Sequence, residues 1–127
     1  MNKQNKTVLI TGASRGLGAN FAKVLSNDGF QIIGVGRNTK NLDDVFSNLP
    51  NPQLNHHFFN VDITNNTEVN QKLSGLNIYG LVNNAGIANT KLLHEESSLD
   101  LSNIFNTNLL GSINVSNALI PNMIKNN

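Results

Sequence analysis

The chain has 127 residues and a formal net charge of +1 at pH 7, a length that fits one domain. Charged residues make up only 13%, about half the usual share, whereas 25 asparagines are scattered along the chain. The near-zero charge argues against a nucleic-acid binder, and no apolar run is long enough to span a membrane. The absence of cysteine excludes disulfides, thiolate metal sites and a cysteine nucleophile, and without a signal-peptide core we expect a cytoplasmic protein.

The first third of the chain alternates short apolar runs with helical patterns. The β-branched run 7–11 predicts a strand buried on both faces, and residues 19–25 have apolar positions at helical spacing. Gly29 is placed to end this helix. A second strand is predicted over 30–36 and a second helix over 41–49.

The rest of the chain continues this alternation. Strands are predicted over 55–61 and 78–82, with a helix between them that Thr64 could cap. After a loop to about Ser97, a long helix is predicted over 99–124, with apolar residues around most of its circumference. Such a helix needs cover on two sides, from the sheet and from another helix.

The order of the elements predicts an α/β fold with a doubly wound parallel sheet of the Rossmann type. Right-handed crossovers between the strands give, by analogy, the strand order 3-2-1-4. We find no repeat, linker or boundary, so residues 1–127 are treated as a single domain. Because the chain ends before any helix could cover the last one, we expect this domain to be incomplete at its C-terminus, truncated after the helix that follows strand 4.

A glycine-rich loop joins the first predicted strand to the first helix. Gly12, Gly16 and Gly18 are spaced as Gly-x-x-x-Gly-x-Gly, and no Lys-Ser or Lys-Thr pair follows them as in a Walker A loop. Glycines in this position allow a tight turn, the close approach of a pyrophosphate and close packing of helix on strand. The free N–H groups of the helix would then hold the phosphates. The loop therefore indicates a dinucleotide site, with a merely tight turn as the alternative.

Four motifs, in this order, resemble those of the short-chain dehydrogenase/reductase family. The segment 11–18 resembles the family's cofactor loop, and Asp62 resembles its adenine-contacting aspartate. The segment 83–86 resembles its Asn-Asn-Ala-Gly motif, and the segment 106–111 resembles the helical stretch with a catalytic asparagine, which is Asn108 here. The resemblance covers nearly the whole chain and implies the amino-terminal, cofactor-binding half of such an enzyme.

The resemblance implies a role for each residue of these motifs. The pyrophosphate end of the cofactor would lie against Gly12, Ser14, Arg15, Gly16, Leu17 and Gly18. The adenine would meet Asp62, and the ribose side would meet Asn83, Ala85 and Gly86. Asn108 would support a proton relay. Simpler interpretations stay open. In these, Asp62 is an ordinary acidic residue ahead of a helix, and Asn108 is one more asparagine in an asparagine-rich chain.

The only two arginines of the chain bear on the choice of nicotinamide cofactor. Arg37 follows the second strand, where an acid would bind the ribose 2′-hydroxyl of NAD and an arginine would accommodate the 2′-phosphate of NADP. Arg15 lies in the glycine loop beside Ser14, and no acid follows the second strand before Asp43. The pattern favours NADP(H) over NAD(H), with two solvated surface arginines as the alternative.

The catalytic pair that the resemblance implies is missing. The family uses a serine after a fifth strand and a Tyr-x-x-x-Lys pair as its general acid/base. Tyr79 is the only tyrosine, is expected in the core of the fourth strand, and is followed four residues later by Asn83. The complete enzyme would transfer a hydride between NADP(H) and a small carbonyl or alcohol substrate, but we expect the chain alone to be inactive. A non-catalytic dinucleotide-binding module and an inert fragment are the alternatives.

Further expectations concern metals and partners. His56 and His57 are adjacent in a predicted strand and would point to opposite faces, so we expect no metal site. The apolar helix over 99–124 and the open edge of the fourth strand favour a homo-oligomer. We expect neither nucleic acid nor a membrane as a partner.

Overall fold

Four parallel strands form the centre of the protein, which a computed structural model describes for residues 6–126. They are β1 (Thr7–Thr11), β2 (Gln31–Gly36), β3 (His57–Asn60) and β4 (Gly80–Val82). Their order in the sheet is β3-β2-β1-β4, and all neighbours are parallel. The predicted doubly wound topology is therefore confirmed. Residues 1–5 and 127 of the predicted domain lie outside the described residues.

Helices follow each strand of the sheet. They are α1 (Gly16–Asn27), α2 (Thr39–Phe46), α3 (Asn66–Leu73), α4 (Ser98–Phe105) and α5 (Ser112–Asn126). A π-helical turn over Asn106–Gly111 joins α4 to α5, so the predicted single helix over 99–124 contains a change of pitch. Among residues 6–126, no helix combines the length and apolar character needed to cross a membrane.

Asparagine side chains cap the amino ends of two helices. Asn38 caps α2 and Asn65 caps α3, each by accepting a hydrogen bond from the backbone N–H three residues later. The prediction that Thr64 caps α3 is wrong, because its hydroxyl donates to Asp62 Oδ1 at 2.8 Å. Gly29 follows the end of α1 with φ +92°, as a glycine stop requires.

Two apolar clusters cover the two faces of the sheet, because successive residues of β1 point to opposite sides. One cluster joins α1 and α2 to the sheet through Val8, Ile10, Ala22, Ile32 and Leu42. The other joins α3 and α5 to the sheet through Leu9, Ile33, Val35, Val69, Leu73, Val115 and Leu119. The helices thus lie on both faces, and the loops at the carboxyl ends of the strands are held in fixed positions.

The final helical segment is covered on one side only. Val115, Ala118 and Leu119 are buried, and α5 packs beside α3. Within residues 6–126, no second element covers its outer large apolar side chains, which are Leu99, Phe105, Leu109, Leu110, Ile113, Ile120 and Ile124. This apolar stripe of α4 and α5 is the surface that the sequence predicted to need further cover.

Tyr79 does not occupy the core, and that prediction is wrong. It precedes β4, and its side chain is 38% exposed. Its backbone N–H donates to the carbonyl oxygen of Thr7, which places it where β1 begins. The ring stacks on Phe30, with centroids 6.3 Å apart, and Lys6 Nζ lies 4.0 Å from the ring centroid. Tyr79 therefore lies at the amino end of the sheet.

Candidate cofactor site

A cleft of about 680 Å³ opens at the carboxyl ends of the four strands. The loops after all four strands line it, as expected for ligand sites of open α/β sheets. The predicted site residues that line the cleft are Gly12, Ser14, Arg15, Gly16, Leu17, Arg37, Asp62, Ala85 and Gly86. Residues without a prior assignment also line it, among them Asn38, Asn41 and Thr107. Three predicted residues, Gly18, Asn83 and Asn108, do not line it.

The three loop glycines serve three different geometric needs. Gly12 has φ +67°, and a Cβ there would lie 2.9 Å from the Cα of Ala85. Gly16 has φ +54°, and a Cβ there would enter open space. Gly18 is buried, and a Cβ there would collide with the carbonyl oxygen of Gly12. Gly18 therefore allows the helix to approach the strand, whereas the bare backbone at Gly16 faces the cleft.

Thr11 and Asn84 lock the glycine loop to the segment 83–86. Thr11 Oγ1 accepts hydrogen bonds from the N–H groups of Asn84 and Ala85, both at 3.0 Å. The Asn84 amide in turn donates to the carbonyl oxygens of Thr11 and Gly12 at 3.1 and 3.3 Å. These bonds hold the backbone of two cleft walls together.

Asn83 lies outside the cleft, so its expected place on the ribose side is not what the structure shows. Its Nδ2 donates to Ser116 Oγ on α5 at 3.0 Å. Successive residues at a strand end point to opposite sides, and Asn84 takes the side that faces the glycine loop. Asn83 therefore secures α5 to the end of β4.

Asn108 lies in the π-helical turn and binds the loop after β4. Its Oδ1 accepts from the N–H of Ile87 and its Nδ2 donates to the carbonyl oxygen of Ile87, both at 2.8 Å. Gly111, at the end of the turn, packs so closely on Ile63 that a Cβ would lie 2.7 Å from that side chain. Both contacts hold the helix against cleft-lining loops, which gives this π turn a structural cause.

Two cationic side chains and one acidic side chain line the cleft. Arg15 and Arg37 are exposed, and neither guanidinium forms an ion pair or hydrogen bond with any residue between 6 and 126. A guanidinium presents five donors in a fixed fork that suits phosphate oxygens. The cleft therefore offers unsatisfied donors to an anionic ligand.

Asp62, the acid of the cleft, is held by its own loop. Its Oδ1 accepts from the N–H and the hydroxyl of Thr64, at 3.0 and 2.8 Å. Its backbone N–H donates to Glu68 Oε2 at 3.4 Å, and the pKa of Glu68 is lowered chiefly by its hydrogen bond from Lys72. Its other carboxylate oxygen, Oδ2, has no hydrogen-bond partner among residues 6–126.

His56 makes structural contacts through both of its ring nitrogens. His56 Nδ1 accepts from the N–H of Ile32 at 3.0 Å, so a neutral ring carries its proton on Nε2. This nitrogen lies 3.0 Å from Ser26 Oγ and 2.9 Å from the carbonyl oxygen of Pro50. Within residues 6–126, no three His, Asp or Glu side chains converge in a way that could hold a metal ion.

The fold and the cleft define a dinucleotide-binding type of α/β domain, and a comparison with known families narrows this class. The family model for short chain dehydrogenase matches residues 6–127. Because the match covers nearly the whole sequence, the chain belongs to the short-chain dehydrogenase/reductase family. Members of this family are oxidoreductases that bind an NAD(P) cofactor.

Comparisons with individual proteins are consistent with this family. The chain is 33% identical over 132 residues to a 3-oxoacyl-acyl-carrier-protein reductase of Buchnera aphidicola, covering 99% of this chain and 53% of that protein. It is 34% identical to an NADPH-dependent pterin aldehyde reductase of Arabidopsis thaliana, covering 94% of this chain and 51% of that protein. The structure of a closed serine dehydrogenase complexed with NADP⁺ matches with a TM-score of 0.84 and 29% identity, covering 94% and 49%. The chain thus spans about half the length of these relatives.

Proposed function

We propose that residues 1–127 form the NADP(H)-binding domain of an oxidoreductase that transfers a hydride between NADP(H) and a small carbonyl or alcohol substrate. The observation that carries the proposal is the cleft at the carboxyl ends of the strands, where Arg15 and Arg37 lie without a partner between residues 6 and 126. An oxidoreductase family, the cleft geometry and these two cations together fit a phosphorylated dinucleotide.

The glycine loop fits the pyrophosphate of such a cofactor. At Gly16 no heavy atom lies within 4 Å of the place where a Cβ would be, and α1 begins at this residue. The first N–H groups of a helix have no intrahelical partner and attract anions. We therefore assign the pyrophosphate to the backbone of the glycine loop, with Ser14 and Arg15 beside it.

Arg37 supports NADP(H) over NAD(H). It lies directly after β2, and Asn38 follows it, so no carboxylate is present there to accept a hydrogen bond from a ribose 2′-hydroxyl. A phosphate at the same place would meet a permanent positive charge. One similar protein is an NADPH-dependent pterin aldehyde reductase, and the similar serine dehydrogenase is complexed with NADP⁺, which agrees with this choice.

We assign roles to the other predicted site residues from their positions in the structure. Asp62 would accept from the adenine amino group through its available oxygen, and Ala85 and Gly86 would lie along the ribose and nicotinamide. Asn108 uses both side-chain polar atoms on the backbone of Ile87. Its contribution to a proton relay would therefore act through the π turn that it holds in place.

The chain by itself is proposed to bind the cofactor without turning over a substrate. The bound cofactor would supply the hydride, but reduction of a carbonyl also needs a positioned proton donor. Tyr79 lies at the amino end of the sheet, whereas the cleft lies at its carboxyl end. No lysine follows it at the fourth position.

A charge exchange at Arg37 tests the proposal. In Arg37→Asp, the affinity for NADPH should fall by about tenfold or more, because a charge-assisted hydrogen bond contributes roughly 1.5–3 kcal/mol and solvent screens part of it. The affinity for NADH should stay the same or rise. Fluorescence titration with both reduced dinucleotides measures the ratio.

Lys23→Glu is the matched control, because it makes the same change in charge on an exposed position of α1 outside the cleft. It should leave both affinities within about twofold of the wild type. A wild-type chain that prefers NADH, or an Arg37→Asp variant with an unchanged preference, would contradict the assignment of Arg37.

A further inference from the structure

A side chain outside the cleft holds the turn that carries Arg37. Asn60 is the last residue of β3 and lies opposite Gly36 in the parallel register. Its Nδ2 donates to the carbonyl oxygen of Arg37 at 2.9 Å and to Thr39 Oγ1 at 2.8 Å. Both hydrogens of one amide group are therefore used on the turn between β2 and α2.

Asn60 is itself held from α3. Lys72 Nζ donates to the carbonyl oxygen of Asn60 at 2.6 Å and to Glu68 Oε1 at 2.8 Å. Glu68 Oε2 in turn accepts from the backbone N–H of Asp62. One continuous network thus joins the turn with Arg37 to the loop with Asp62, the two loops that the proposed function assigns to the 2′-phosphate and the adenine.

The Arg37 side chain needs such an anchor. Its guanidinium makes no ion pair or hydrogen bond within residues 6–126, so no side-chain contact there holds it and the backbone sets the point from which it extends. The turn is exposed, and a long side chain on a mobile turn would lose conformational entropy on binding a phosphate. A backbone held by Asn60 fixes the point from which the Arg37 side chain extends, so the freedom of the turn is not lost as well when the side chain binds a phosphate.

We propose that Asn60 is a positioning residue that sets the preference for NADP(H) over NAD(H) by holding the turn of Arg37 and Thr39. This inference rests on the proposed function, because it assigns Asn60 to the same cofactor site. It explains why a neutral amide ends the strand here, since an aspartate could donate neither hydrogen bond. Asn60 touches no cofactor in this account and acts only through the turn.

The test compares NADPH and NADH binding to the full chain by fluorescence titration in three variants. Asn60→Ala should weaken NADPH by about 3- to 10-fold and NADH by less than about twofold, as expected for the loss of one or two exposed hydrogen bonds. Thr39→Val removes one acceptor and should weaken NADPH by about two- to threefold. Asn48→Ala is the matched control, because it deletes a similar amide bond, to the Asp44 carbonyl oxygen, away from the cleft.

The outcomes separate this inference from the proposed function. A role confined to stability would lower the melting temperature of Asn60→Ala and change both affinities equally, leaving their ratio unchanged. An unchanged ratio in both Asn60→Ala and Thr39→Val, with a wild type that prefers NADPH, overturns the role of Asn60 alone. A wild type that binds neither dinucleotide, or prefers NADH, overturns the proposed function and this inference together.

Discussion

Single residues of the glycine loop show how one residue type meets different geometric needs. A Cβ at Gly12 would contact the next loop, one at Gly18 would strike the Gly12 carbonyl oxygen, and one at Gly16 would point into open space. The spacing of the glycines predicted a close approach of a ligand, but the spacing alone does not tell which glycine faces it. In the structure Gly12 and Gly16 both line the cleft, and of these two only Gly16 has open space where a Cβ would be.

The Gly16→Ala variant separates two effects, the strain of the backbone and the loss of space for a ligand. The φ of +54° should make the variant less stable by about 1 kcal/mol, since an L-residue pays for a left-handed conformation. The added methyl group would also occupy the proposed pyrophosphate site, so NADPH affinity should fall by about tenfold or more, which is more than the strain explains. Thermal unfolding and NADPH titration measure the two effects.

Gly75→Ala is the control for this change, because a Cβ there also meets nothing within 4 Å and the residue lies outside the cleft. Its NADPH affinity should equal that of the wild type. Equal NADPH binding by Gly16→Ala and wild type would show that the pyrophosphate does not lie against this loop.

At the scale of the elements, local signals predicted most of the fold. The strands and the end of α1 follow from apolar runs and from Gly29, which act within a few residues. The local pattern predicted a continuous helix and not the π turn, which makes contacts with distant loops, Asn108 with Ile87 and Gly111 with Ile63. The position of Tyr79 was predicted wrongly for a similar reason, since an apolar run does not show at which residue the strand begins.

The same limit applies to the candidate site. Nine of the twelve residues assigned from the sequence line the cleft, because the carboxyl ends of parallel strands share one edge, and their roles with a cofactor stay predictions. The motif could not show that the side chain of Asn83 turns to Ser116. Asn38 was missed as a cleft residue, although its position ahead of a helix was a visible capping signal.

The interactions of Asp100 at the start of α4 lead to a prediction about how the stability of the folded state depends on pH. The Asp100 carboxylate accepts from the N–H of the capping residue Ser97 at 3.2 Å and pairs with Lys91 at 2.7 Å, while the Ser97 hydroxyl oxygen accepts from the Asp100 N–H at 3.0 Å. The hydrogen bond from Lys91 is the main cause that lowers the pKa of Asp100 from 3.8 to about 2. A carboxyl whose pKa is depressed on folding stabilises the folded state above its unfolded pKa and loses this effect as pH falls through the folded value.

The stabilising contribution of Asp100 should therefore be complete above about pH 4 and decline toward pH 2. Titration of the Asp100 carboxyl by NMR should give the depressed pKa, and Lys91→Ala should raise the pKa toward 3.8. Lys23→Ala, on α1, should leave it unchanged. An Asp100 pKa that stays the same in Lys91→Ala would contradict the role of this ion pair.

At the scale of the whole molecule, two features favour association, an open strand edge and an exposed apolar stripe. Within residues 6–126, β4 pairs only with β1 and leaves its other edge open. The apolar stripe of α4 and α5 is exposed on its outer side. Open strand edges and large apolar patches favour association. We therefore propose that the chain forms homo-oligomers through these surfaces.

Sedimentation or light scattering at micromolar concentration tests this association. The wild type should exceed the mass of one chain, and the double change Ile113→Lys with Ile120→Lys should shift it toward the monomer, because two charges enter the apolar stripe. Thr67→Lys with Gln71→Lys adds the same charge on exposed positions of α3 and should leave the association unchanged. A monodisperse wild-type monomer would contradict the proposal.

The most direct measurement of the central claim is an NMR titration of the isotope-labelled chain with NADPH. Binding in the cleft predicts the largest amide shifts in the glycine loop, the turn at Arg37, the loop at Asp62 and the segment 83–86, with small shifts in the loop around Pro50 far from these residues. The shifts at Arg37 should be smaller with NADH, which lacks the 2′-phosphate. Shifts that leave the glycine loop unchanged, or no shifts at millimolar NADPH, would contradict the account.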